Sequence, residues 1–75
     1  MSFFIVLTLC SQIAMECMAD FIVPKDYATY QECIVNAYTE AQTRYMTINP
    51  LDAERHQLYI KFYCANETDL GLNAL

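Results

Sequence analysis

Four cysteines, Cys10, Cys17, Cys33 and Cys64, are spread through a chain of 75 residues. A chain this short buries too little apolar surface to depend on its core alone, and usually adds disulfides, a metal or a partner subunit. Spacing helps separate these options. The gaps between successive cysteines are six, fifteen and thirty residues, whereas a structural zinc site usually supplies close pairs such as C-x-x-C. Disulfides or plain buried thiols are therefore the expected use, and no metal or other cofactor is expected.

The remaining composition bounds the class. The chain is 56% hydrophobic and 17% charged, with one glycine and two prolines, which sets it apart from disordered segments and linkers. Its length allows one domain, expected over residues 1–64, with 65–75 as a frayed acidic tail. Nine acidic residues stand against four basic ones, for a net charge of −5. No basic patch exists to hold phosphates, so direct nucleic-acid binding is not expected.

The apolar run Phe3-Phe4-Ile5-Val6-Leu7-Thr8-Leu9 has two readings. As a strand it is apolar on both faces and suits a central position in a sheet. As the core of a secretory signal it would be cleaved after Ala14 or, better, Ala19, removing residues 1–19. Against the signal, no Lys or Arg precedes the run. It is also too short to span a bilayer as a helix. The strand is the favoured reading, and the cleaved signal is kept as the alternative.

Further elements follow from local chemistry. Met15–Val23, ending at Pro24, reads as a weak second strand at an edge. Thr29-Tyr30-Gln31-Glu32 is a capping box, in which the Thr29 hydroxyl accepts from the Glu32 amide and the Glu32 carboxylate reaches back to the Thr29 amide. The helix behind it is amphipathic to Ile48, with Tyr30, Cys33, Ala37, Tyr38, Ala41 and Tyr45 near one face. Its three tyrosines are expected to fill the core. Asn49-Pro50 can cap and start a short second helix. Leu58–Cys64 alternates as a strand, with Leu58, Ile60, Phe62 and Cys64 on one face and Tyr59, Lys61 and Tyr63 on the other.

These elements assemble into a small α+β domain of ββαβ order. Its three-stranded, mostly antiparallel sheet has the order 2-1-3, with one main helix packed on one face. A hairpin sets the second strand beside the first, and a right-handed crossover through the helix returns the last strand on the first strand's other side. The start of the helix and the end of the last strand then lie at the same end of the sheet. This favours Cys33–Cys64, with Cys10–Cys17 across the hairpin. Chain entropy assigns these two loops about 3.5 and 2.5 kcal/mol. Cys10–Cys64 with Cys17–Cys33 is the other arrangement weighed, and it needs a long loop in place of the second strand.

The same residues carry a resemblance. Leu9-Cys10-Ser11, Cys17, Tyr27-Ala28-Thr29-Tyr30-Gln31-Glu32-Cys33, Ala37-Tyr38 and Ile60-Lys61-Phe62-Tyr63-Cys64 resemble a group of short, uncharacterised four-cysteine proteins of marine bacteriophages and metagenomes. The match runs from Leu7 to Cys64. This chain departs from the group in having Ala37 where glycine is frequent, and in lacking the usual prolines after the second cysteine. The resemblance implies a viral accessory protein in a bacterial host, and carries no activity or binding residue with it.

Catalytic signals are thin. His56 lies in a polar stretch, no third group stands out to orient a Cys–His pair, and the only glycine is Gly71. No enzyme activity is expected, and a thiol or redox enzyme ranks below both other readings. The expected role is a non-enzymatic interaction or accessory protein, and the alternative is a secreted or periplasmic disulfide-stapled mini-domain. One helix layer leaves one sheet face bare. That face should carry Tyr59 and Tyr63 with either Phe3, Ile5, Leu7 and Leu9 or Phe4 and Val6, and engage a second copy or an unknown protein partner.

Overall fold

The apolar run forms β1 (Phe3–Ser11), the central strand of the sheet. A computed structural model describes residues 2–66 of the chain. The other elements are β2 (Glu16–Cys17), β3 (Phe21–Tyr27), α1 (Tyr30–Tyr45), α2 (Pro50–His56) and β4 (Leu58–Asn66). β4 pairs antiparallel with the whole of β1, from Phe3↔Asn66 to Ser11↔Leu58. β2 and β3 pair antiparallel with β1 as well, and with β4 on one edge they share the other. They act as one interrupted return strand, so the 2-1-3 order of the sequence reading holds.

That return strand runs further than the sequence suggested. Pro24 does not end it: β3 continues to Tyr27, which pairs with Phe3. The register jumps between Phe4↔Asp26 and Val6↔Ile22, so the strand carries extra residues around Pro24. Proline lacks an amide hydrogen, and a bulge in an edge strand is one of the few places within a sheet that tolerates it. β4 likewise extends past Cys64 through Ala65 and Asn66, and Ala65 is buried opposite Phe4. These two residues therefore belong to the sheet rather than to a frayed tail. The rest of the expected tail, 67–75, lies outside the described residues.

α1 begins at the capping box. The Glu32 amide donates to Thr29 Oγ1 at 3.1 Å, while the Glu32 carboxylate accepts from the Ala28 amide at 3.3 Å rather than from that of Thr29. The helix stops at Tyr45, three residues short of Ile48, where Thr47 Oγ1 bonds back to the Arg44 carbonyl at 2.7 Å. Asn49 caps α2 through the Leu51 amide at 2.8 Å, with Pro50 in the first turn. Gln57 ends α2 in the left-handed region, at φ 47°.

The core lies between α1 and one sheet face. Cys33, Ala37 and Ala41 form an i, i+4, i+8 stripe of small side chains against Ile5, Leu7 and Val23, with Phe3, Ile60 and Phe62 packed around them. This stripe corrects the expectation for the helix tyrosines. Small residues let the helix axis approach the sheet, and the large rings are left at the margins of the seam. Tyr38 is 65% exposed and Tyr30 is 54% exposed. Each still makes an edge-to-face contact, Tyr38 with Phe62 at 4.8 Å and Tyr30 with Phe3 at 5.8 Å. Tyr45 lies over the last helical turn and donates from its hydroxyl to the Leu58 carbonyl at 2.8 Å.

Candidate functional site

Directly opposed residues of antiparallel strands point to the same side, so the register assigns the faces. The odd-numbered residues of β1 face the helix, which leaves Phe4, Val6, Thr8 and Cys10 on the bare face. Of the two sets the sequence allowed, the structure therefore selects the one containing Phe4 and Val6. β4 adds Ala65, Tyr63, Lys61 and Tyr59 opposite them. On the other edge, Asp26 lies opposite Phe4, Ile22 opposite Val6 and Cys17 opposite Cys10. Thr8 Oγ1 donates to Asp20 Oδ1 at 2.7 Å, which draws Asp20 into the same set. The face thus consists of four transverse rows: Ala65–Phe4–Asp26, Tyr63–Val6–Ile22, Lys61–Thr8–Asp20 and Tyr59–Cys10–Cys17.

Relief on this face follows from residue size. Val6 is only 1% exposed although no helix covers it. The small centre of the sheet is flanked by larger side chains, and Tyr59 (40% exposed), Tyr63 (50%) and Ile22 (38%) present the accessible apolar surface. Beside the hairpin turn, an open depression of about 510 Å³ is bounded by Tyr59, Cys17, Met15, Ser11, Gln12 and Glu16. Met15 is held in the left-handed region at φ 55°, and its side chain stands out in solvent.

The cysteines supply the frame. Cys10 is bonded to Cys17 and Cys33 to Cys64, with Cα separations of 4.0 and 6.3 Å. The Met18 amide donates to the Leu9 carbonyl at 2.8 Å, so the neighbouring pair Cys10↔Cys17 is a non-hydrogen-bonded one, where opposed Cα atoms lie closest. The first disulfide closes the hairpin within the bare face, and the second locks the first turn of α1 to β4 behind it. No cysteine is free, so none of the four offers a thiolate. His56 sits at the end of α2, and its carbonyl accepts from Ser11 Oγ at 2.8 Å. Together with the Gln12 amide donating to the Gln57 carbonyl at 3.2 Å, this contact ties the hairpin loop to the α2–β4 corner.

On the helix side, a cleft of about 240 Å³ is lined by Leu7, Leu9, Met18, Ala19, Phe21 and Ile60, with Arg44 at its mouth. The charge of Arg44 is already engaged: its guanidinium lies 4.6 Å from the centre of the Phe21 ring, and Nε donates to Glu40 Oε1 at 3.0 Å. Among the described residues, no three or more of His, Cys, Asp and Glu gather where they could hold a metal ion. No helix among those residues is long and apolar enough to cross a membrane.

Sequence reasoning placed Tyr59 and Tyr63 on the face away from the helix, and both lie there. It also placed Lys61 there, opposite Thr8, but did not single out Ile22 or Asp20 as members of that face. Ile22 and Asp20 were hidden because the register slips by one residue between Cys10↔Cys17 and Leu7↔Phe21, so an alternation carried on from Cys17 puts both on the wrong side. Compared with known proteins, the chain matches no family model, no curated protein and no solved structure.

Proposed function

We propose that this chain is a non-enzymatic accessory protein that works by protein contact through its bare sheet face, with viral origin taken from its resemblance to short phage proteins. One observation carries the reading. Tyr59 and Tyr63 stand on a regular strand, exposed, beside Ile22 and the Cys10–Cys17 disulfide. Tyrosine offers large apolar area with a hydrogen-bonding tip and few rotamers to freeze, and it is enriched in interfaces. The two disulfides hold the sheet in one geometry, which lowers the ordering cost of binding.

The alternative, a secreted mini-domain cleaved after Ala19, draws support from the disulfides, because such bonds persist in oxidising compartments. Weighing against it, residues 1–19 include all of β1 and β2, and with them Cys10 and Cys17. Intact-mass measurement of secreted and retained material separates the two readings.

Site-specific photo-cross-linking tests the contact face. A photoreactive phenylalanine analogue at position 63 is compared with one at Val35, which is equally open to solvent but lies on the helix. Cross-links to protein from position 63, and not from 35, are the expected result. Equal yields from both positions, or none from 63, would remove the basis for this function.

A further inference from the structure

We infer that the bare sheet face binds a second copy of the same chain, through a twofold axis that runs parallel to the strands above β1. This rests on the reading of that face as a contact surface and names its occupant. The argument comes from the third row. Lys61 and Asp20 flank Thr8 on opposite edges of the sheet, two strand spacings or about 9–10 Å apart. They do not pair within one copy: the salt bridge found among the described residues joins Arg44 and Glu40. Asp20 is oriented by the Thr8 hydroxyl on Oδ1, which presents its carboxylate on the exposed side of the row.

An axis along the strands lays each row over its own reversed copy. Lys61 then stands over the partner's Asp20 and Asp20 over the partner's Lys61, two reciprocal ion pairs from one complementary arrangement. In the next row, Tyr63 meets Ile22 twice, and the small, buried Val6 lies at the axis. A crosswise axis instead keeps every side chain above its own strand, so Lys61 never reaches Asp20 and, with the axis on this row, faces Lys61. Like charges set opposite each other across an interface are costly. Charge therefore selects the lengthwise axis, which also gives the aligned sheet-on-sheet packing common in two-layer β structures.

Size sets the strength. Three strands and four rows make a footprint of roughly 14 by 25 Å at ordinary strand spacing and rise. At about 350 Å² per copy this is well below a standard specific interface, so the association is weak and reversible. A chain with net charge −5 gains from placing opposite charges where two copies meet, because its surfaces otherwise repel.

Sedimentation equilibrium of the oxidised full-length chain, across micromolar to sub-millimolar concentrations, reads the prediction. The unaltered chain is expected to dimerise. Lys61→Glu and Asp20→Lys should each weaken the dimer by about tenfold or more, and the double swap should restore it to within about threefold. Asp20→Asn keeps an acceptor for Thr8 and loses only the charge, so it should weaken association without disturbing the fold, as checked by circular dichroism. An unaltered chain that stays monomeric throughout overturns the inference, while cross-links from position 63 to another protein would leave the contact face standing. A dimer that Tyr63→Glu disrupts and the charge variants do not overturns the lengthwise axis alone. A dimer indifferent to both overturns the inference and the face together.

Discussion

Cys33, in the first turn of α1, and Cys64, near the end of β4, are joined by a disulfide with their Cα atoms 6.3 Å apart. The bond anchors the helix over the sheet at the end where Tyr30 and Phe3 meet, and it crosses the layer boundary that the core depends on. Cys33 itself is fully buried, so the bond contributes packing as well as connectivity.

Replacing both Cys33 and Cys64 with alanine should lower stability by about 2–4 kcal/mol under oxidising conditions. Denaturant unfolding of the variant and the unaltered chain, with and without reductant, measures this. Most of the difference should vanish once reductant opens the disulfide in the unaltered chain.

The stripe Cys33, Ala37 and Ala41 sets how closely α1 approaches β1. Ala37→Leu forces a large side chain into a site with no exposed surface and should cost about 1–3 kcal/mol. Val35→Ala, on the solvent side of the same helix, should change stability by less than about 0.5 kcal/mol. Urea midpoints of the two variants make the comparison.

Gln57 closes α2 with a positive φ of 47° although its side chain is exposed. A non-glycine residue pays a steric penalty there, whereas glycine does not. The bonds at this position use the backbone, so glycine keeps them. Gln57→Gly should therefore raise stability by about 0.5–1 kcal/mol, net of the added freedom of the unfolded chain. A lower melting temperature for the variant would contradict this account of the corner.

Removing residues 1–19 should abolish folding outright. β1 supplies both pairing edges of the sheet and buries Ile5, Val6 and Leu7. The shortened chain should show no cooperative thermal transition by circular dichroism, and its backbone amides should exchange without protection.

Much of this architecture was legible in the residues. The uniform apolarity of Phe3–Leu9 marked a strand buried on both sides, the Thr29–Glu32 box marked the start of the helix, and strict alternation placed Tyr59 and Tyr63 opposite Cys64 and Phe62. Other features escaped for physical reasons. Helical periodicity gives the angle of a side chain around the axis and not its depth. It could therefore not show that Cys33, Ala37 and Ala41 would draw the helix in and leave Tyr30 and Tyr38 at the margin. Pro24 read as a terminator because a bulge is a property of two strands together, and only the pairing with β1 reveals it. Lys61 and Asp20 come into one row through that same pairing, so their relationship had no trace in the local sequence.

The pairing of β1 with β4 also bears on how the chain is made. Phe3 lies opposite Asn66, so one edge of β1 has no partner until the last described strand has left the ribosome. At ordinary elongation rates of about 5–20 residues per second, Phe3–Leu9 waits on the order of 3–13 s with that edge open. Hairpin closure with Phe21–Tyr27 comes sooner and protects the opposite edge. The nascent chain therefore passes through a stage in which its most apolar segment is half paired. An open edge on so apolar a strand is a template for pairing with other chains, so this stage of synthesis is the one most exposed to aggregation.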